Sequence, residues 1–532
     1  MLDKIIRGGT IVDGTGLPAY RGDVGIRGSR IEIIGNLESA EAADVQDANG
    51  LHVSPGFIDM HSHSDLTLME DPRGQSKIRQ GVTTELVGQC GFSPFPFSKL
   101  QPAVPQSEME TAFTAHIDRF DWTDLAGYAA RINRQGSAIN VAPLVGHASV
   151  RAAALGYDDR PPTGDELAEM ERMVAEAMEQ GAFGFSTGLT LVPSAYADFE
   201  EVVTLARVAA KFGGFYDTHG RFWNSWHFKA AEEALEIGRQ AGLPVEVAHL
   251  AIIDPRHQGQ PEQLAAAFER AEAAGVDATF DVYPYVAAGT MLSQFLPGWV
   301  QEGGLKTMIA RLRDPETHKR VFDALEDGWF RGIPWDWETI VVASPGDKGD
   351  PKWTGKNVQE MADGWAVHPK EAYIRLIDIS EDSVSSVVFN RTENDMQYFL
   401  RHRLSMIGSD GNAVAADGPL SKANLHPRFY GAFPRVLGRY VRDLKVLSVE
   451  AAVYKMTGGP ARRLGLRDRG RIAPGCAADL TLFDLSKVAD RATFEKPHQY
   501  PVGIPHVMVN GQWVIRQGEH TGALPAGVLK RG

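Results

Sequence analysis

Short apolar runs that end in polar residues punctuate the middle of the chain. They read "GFIDMHSH" (56–63), "TTELVGQCG" (83–91), "INVAPLVGH" (139–147), "AFGFSTG" (182–188), "GFYDTHG" (214–220), "PVEVAHL" (244–250), "DATFDVYPY" (277–285) and "LSMIGSDG" (404–411). Each has the length of a buried strand. Helical patterns lie between several of them. "DELAEMERMVAEAMEQG" places Leu167, Met170, Met173, Val174, Ala177 and Met178 on one face, three and four residues apart. "EQLAAAFERAEAAG" does the same ahead of the seventh run. Strands alternating with helices in this way predict an α/β fold, a (β/α)8 or TIM barrel over residues 55–469. A doubly wound open sheet is the alternative, but no G-x-G-x-x-G sequence opens a helix here.

The two ends differ from the middle. Residues 1–54 alternate apolar and polar and break at Asp-Gly and Gly-Ser turns. Residues 470–532 do likewise, with an Asn-Gly hairpin signal at Asn510 and Gly511. This predicts one small β-domain assembled from both termini. At about 286–350 the rhythm breaks around Pro297, Pro315, Pro334 and several tryptophans, which predicts an insertion after the seventh strand.

A (β/α)8 barrel does its chemistry at the C-terminal ends of its strands. The polar residues ending the runs are His61 and His63, Cys90, His147, Ser186, His219, His249, Tyr283 and Asp410. His61 and His63 are two apart, so on a strand both point to the same side. Each residue alone has a plainer reading. His147 is read as structural, Cys90 could be a small buried residue, and Asp410-Gly411 could be a turn. His147 keeps that reading, but the conjunction of the others at strand ends decides otherwise, because imidazole, thiolate and carboxylate are the donor set of zinc.

Composition narrows the partners. The chain has 532 residues and a net charge of −14 with no basic block, which argues against nucleic acid and anionic membrane. The N-terminus "MLDKIIRGGTIVDG" has no apolar leader, and no apolar stretch reaches about 18 residues. With only Cys90 and Cys476 as cysteines, a cytoplasmic enzyme with a small-molecule substrate is expected. Oligomeric state is left open.

"PGFIDMHSHSD" resembles the metal-binding signature of the amidohydrolase superfamily. More narrowly, "GVTTELVGQCG", "GAFGFSTGL", "DVYPY", "IGSDG", "HPRFYGAFPRVLGRYVR" and "RGRIAPGCAADL" resemble the N-acyl-D-amino-acid deacylase (D-aminoacylase) family over nearly the whole chain. The resemblance implies a zinc-bearing barrel with a small β-domain. It implies a tight zinc on His219, His249 and Cys90, and a second, weaker position at His61, His63 and Asp410. The fourth run has no lysine for carboxylation, so Cys90 is expected to supply the negative ligand. Asp410 is expected to act as general acid and base. Tyr283 and Arg428 are expected to meet the substrate.

Departures from the family cluster where the substrate carboxylate should sit. Ala251 stands where the family has a lysine, and Leu191 where it has a tyrosine. The fifth loop reads "THGRFWNSWHF". Either the substrate is bulkier or less polar, with Trp223 in contact, or another cation such as Arg221 or a residue of the insertion replaces the lost contacts. Three readings follow: an N-acyl-D-amino-acid deacylase, a zinc hydrolase of another amide, lactam, carbamate or ester, and a non-catalytic scaffold. Retention of every ligand position argues against the third.

Overall fold

The computed structural model describes residues 1–97, 120–221, 227–330, 332–421 and 426–531. Its centre is a barrel of eight parallel strands: Phe57–Asp59, Val82–Val87, Asn140–Pro143 continuing as Val145–Gly146, Gly184–Gly188, Phe215–His219, Val245–Val247, Ala278–Val282 and Ser405–Ile407. Consecutive strands pair in parallel. The third strand breaks at Leu144, pairing with the second strand before it and with the fourth after it. The ring closes where Met60 N donates to Ile407 O at 3.2 Å and Asp410 N to His61 O at 2.8 Å.

The strands are short and buried, so they read as plain apolar runs without alternation. The outer helices show the opposite pattern. Helix Gly164–Glu179 starts in a capping box between Thr163 and Glu166 and buries Met170, Met173, Val174, Ala177 and Met178. Leu167 packs against the same core but stays partly exposed.

A nine-stranded sheet takes strands from both ends of the chain. Its central pair joins His52–Pro55 to Leu480–Phe483, antiparallel. Strands Leu2–Ile11, Tyr20–Arg27 and Arg30–Gly35 follow on one side, and His506–Val509, Gln512–Arg516 and Glu519–His520 on the other. Ile6, Ile11, Val24, Ile26, Val53, Leu480, Leu482 and Met508 fill its core.

The segment after the seventh strand is longer than the rhythm of the sequence suggests. It forms an antiparallel sheet of Ala288–Met291, Ser385–Val388 and Ile340–Ser344, in that order. Its apolar core takes residues from Leu292 to Val388 together with Ile253 from the sixth loop, and Trp335 and Trp337 stack there at 4.3 Å. The insertion therefore continues past residue 350 to about residue 391. Helices Val358–Trp365 and Pro369–Ser380 pack on this satellite core. Their 3.6-residue period is that of any barrel helix, so periodicity cannot place the boundary. Among the described residues no helix is long and apolar enough to cross a membrane.

Candidate metal centre

The barrel mouth gathers His61, His63, Cys90, His219, His249 and Asp410. Cys90 Sγ lies 3.9 Å from His219 Nδ1, 3.7 Å from His249 Nε2 and 3.4 Å from His61 Nε2. The two imidazole nitrogens, His219 Nδ1 and His249 Nε2, are 3.0 Å apart. Tetrahedral zinc with Zn–S of about 2.3 Å and Zn–N of about 2.05 Å sets edges of about 3.5 Å for S···N and about 3.3 Å for N···N. The observed triangle is close to such a face. Donor atoms fall into two groups, His61–His63–Cys90 and Cys90–His219–His249, each within 4.8 Å. Cys90 belongs to both. Asp410 Oδ1 stands 3.2 Å from His63 Nε2 and 3.7 Å from His61 Nε2.

The local backbone explains how these side chains converge. Cys90, His249 and Asp410 have φ of 54°, 37° and 51°. A left-handed residue just past a strand turns the chain sharply out of the strand direction. Gly408 allows the eighth strand to come close, since a Cβ there would meet Asp281 Oδ1 at 2.5 Å and His61 Cβ at 2.7 Å.

The electrostatics favour neutral imidazoles beside an ionised carboxylate. Burial pushes His61 down to about 3 and lowers His219 and His249 well below the usual histidine value. Burial also pushes the Cys90 thiol up, with Asp410 adding to the effect. A divalent cation in contact reverses that direction, since a coordinating thiol is deprotonated. For Asp410, burial acts to raise the pKa, but Arg428, the hydrogen bond with His63 and the other imidazoles hold it well below the carboxylate range. The Arg428 Nη1 to Asp410 Oδ2 distance is 2.8 Å.

Surrounding groups orient the donors. With His219 Nδ1 facing the cluster, its Nε2–H donates to Thr190 Oγ1 at 2.6 Å. His61 Nδ1 lies 3.5 Å from Asp281 Oδ2. Beneath, Lys77 Nζ reaches Asp59 Oδ2 at 2.8 Å, Ser409 Oγ at 2.8 Å and Glu85 at 3.0 Å. Asp59 in turn accepts from the backbone N–H groups of Ser409 and His61. Sequence reading missed Thr190, Asp281 and Lys77. The signal for Asp281 was present, as an acid inside the apolar run "DATFDVYPY". Lys77 and Thr190 carried none.

A cavity of about 1070 Å³ opens above the centre. Tyr283 and Arg428 line it, as do Ala251 and Leu191. The insertion supplies an apolar wall that includes Met291, Phe295, Leu305, Met308, Trp329 and Phe330. Arg221 does not reach this wall. Its guanidinium pairs with Glu233 at 3.2 Å and donates to the carbonyls of Ala195 and Ala197. These contacts hold it on the fourth loop and on Glu233, and it is not among the described residues that line the cavity. Trp223 lies outside the described residues. His147 is structural: its nitrogens meet Ser194 Oγ at 2.7 Å and Glu201 Oε1 at 2.9 Å, fully buried. Ser186 is also buried, its hydroxyl donating to Gly88 O.

Comparison with known proteins agrees with this geometry. The family model described as "Amidohydrolase family" matches residues 44–326 and 400–515. The unmatched interval falls within the insertion and the segment that leads to the eighth strand. N-acyl-D-glutamate deacylase of Alcaligenes xylosoxydans xylosoxydans is 37% identical over 530 residues, covering 100% of this chain and 97% of its own. D-aminoacylase of the same organism is 35% identical, covering 99% of this chain and 98% of its own. A crystal structure of N-acyl-D-glutamate deacylase from Bordetella bronchiseptica superposes with a TM-score of 0.84 at 34% identity, over 99% of both chains. That protein is complexed with zinc and a phosphonate inhibitor, a mimic of the tetrahedral intermediate. The fold and its mouth thus define a metal-dependent hydrolase of carbon–nitrogen bonds. The chain belongs to the amidohydrolase family.

Proposed function

We propose that this chain is a zinc-dependent deacylase of N-acyl-D-amino acids. In this reading Cys90, His219 and His249 hold the tight zinc, and His61, His63 and Asp410 form a second, weaker position that shares Cys90. The observation that carries it is the Cys90–His219–His249 triangle, whose edges suit tetrahedral zinc, set beside an ionised Asp410. Zinc, when bound, lowers the pKa of a water to about 7 and polarises the amide carbonyl.

The chain's own residues do the rest. Asp410 takes the proton from the attacking water and returns it to the departing nitrogen. Arg428 keeps Asp410 ionised through the ion-pair contact at 2.8 Å. The Tyr283 hydroxyl donates to the developing oxyanion or to the substrate. The apolar wall from the insertion accepts an acyl group larger than acetyl.

Turnover of N-acyl amino acids of both hands, with acetyl, hexanoyl and phenylacetyl groups, tests this on protein assayed for zinc. D-substrates should be preferred, with kcat/KM rising with acyl size. Zinc-loaded protein that hydrolyses lactams or esters but no N-acyl-D-amino acid would overturn it in favour of another amidohydrolase substrate.

A further inference from the structure

The substrate cavity contains a cation that the metal centre does not use. Arg391 lies just beyond Ser385–Val388, the middle strand of the insertion's sheet. Its backbone is fixed on both sides. Arg391 N donates to Val286 O at 3.2 Å, and Gln258 Nε2 donates to Asn390 O at 3.1 Å. Thr392 then caps helix Glu393–Arg401. From this anchored position the guanidinium reaches the cavity and lies over the Tyr283 ring, with Cζ 4.2 Å from its centroid. Arg428 lies over the same ring at 4.7 Å.

The two arginines differ in their partners. Arg428 is paired with Asp410 at 2.8 Å. Arg391 has no carboxylate within 4.0 Å among the described residues, and its buried Nε, like that of Arg428, has no hydrogen-bond partner there. Stacking on tyrosine holds a guanidinium in place without neutralising it. Burial accordingly pulls its pKa below the ordinary arginine value. An unpaired, partly desolvated cation costs stability unless a ligand supplies the counter-charge. No lysine lines the cavity among the described residues, and Ala251 brings no charge to it.

We propose that Arg391 is a specificity-determining residue that receives the carboxylate of the substrate, beside Tyr283 and across from the metal centre. The role rests on the deacylase reading above, and it places the cation on the insertion rather than on the sixth strand. A planar guanidinium offers two parallel N–H donors to a carboxylate. The match is to a free acid, and a carboxamide of the same shape cannot use it equally.

The test uses zinc-loaded, full-length protein and a matched pair, N-acetyl-D-leucine and N-acetyl-D-leucinamide, followed by acetate release and by calorimetric binding. The wild type should prefer the acid in both assays. Arg391→Met should lower kcat/KM on the acid by roughly 10- to 100-fold and leave the carboxamide nearly unchanged. Arg391→Lys should recover part of the loss. Equal loss on both compounds, or none on either, overturns the assignment. If the wild type hydrolyses neither acetyl compound, binding decides on Arg391 alone, and the deacylase reading is decided separately by the hexanoyl and phenylacetyl substrates. Preference for the acid that disappears in Arg391→Met supports the assignment, whereas an unchanged preference, or no binding of either compound, overturns it.

Discussion

Three of the six residues around the candidate metal position stand in left-handed backbone, at Cys90, His249 and Asp410. For residues other than glycine such conformations cost on the order of 1–3 kcal/mol each, and they persist where the surroundings impose them. Here each one carries a donor atom into the barrel mouth, so the strain and the chemistry coincide. Cys90 and Asp410 should nevertheless fail differently. Cys90→Ala removes the donor common to both groups and should strip most of the zinc, measured by elemental analysis. Asp410→Asn keeps the shape and one metal-compatible oxygen but cannot take a proton. It should retain the tight zinc and lose a factor of about 10² to 10⁴ in turnover. A Cys90→Ala protein with full zinc would remove that thiol from the site. Near-normal turnover in Asp410→Asn would place the proton transfer elsewhere. These residues were legible in the sequence because each ends an apolar run. Arg391 was not, because its role depends on a fold-back that brings residue 391 over residue 283.

At the scale of elements, the short helix Gln75–Ile78 joins three barrel strands through one side chain. Lys77 is fully buried and bridges Asp59 of the first strand, Glu85 of the second and Ser409 beyond the eighth. Burial alone would lower its amine, but Asp59 and Glu85 outweigh burial and hold it above the ordinary lysine value. The ammonium therefore stays charged and ties the point of barrel closure. Lys77→Met leaves two buried carboxylates without their cation and should destabilise the protein by about 3–5 kcal/mol in denaturant unfolding. A loss below about 1 kcal/mol would mean that Asp59 and Glu85 are satisfied without it. Strand positions could be read from the sequence because buried parallel strands have few ways to look. Lys77 could not, since a lysine in a polar four-residue turn is usually a solvated side chain. The end of the insertion was hidden for the related reason that Val358–Trp365 and Pro369–Ser380 bury one face as barrel helices do.

At the scale of the molecule, the chain folds its two ends into one sheet, with His52–Pro55 paired to Leu480–Phe483. The alternating, turn-rich ends made this readable, whereas the register did not follow from any local signal. The C-terminal strands contain a titratable group whose protonation should weaken the sheet in acid. His506 is buried in strand His506–Val509, tilted against Trp513 with ring centroids 5.6 Å apart. Its Nδ1 accepts from Gln517 N at 3.3 Å, which requires the neutral ring. Burial, followed by the nearby Arg516 charge, pushes it down to about 4. For a base whose folded pKa is depressed, the unfolded chain binds the extra proton between about 4 and the unfolded value of about 6.5. Its contribution is therefore complete above about pH 6.5 and is lost as the pH falls towards 4. A group with this shift accounts for on the order of 1–3 kcal/mol across the window. His506→Asn keeps an acceptor for Gln517 N and removes the titration. With both proteins zinc-loaded, the melting temperature of the wild type should fall more steeply than that of the variant between pH 6.5 and 4. Parallel acid limbs would show that protonation of His506 does not limit the sheet.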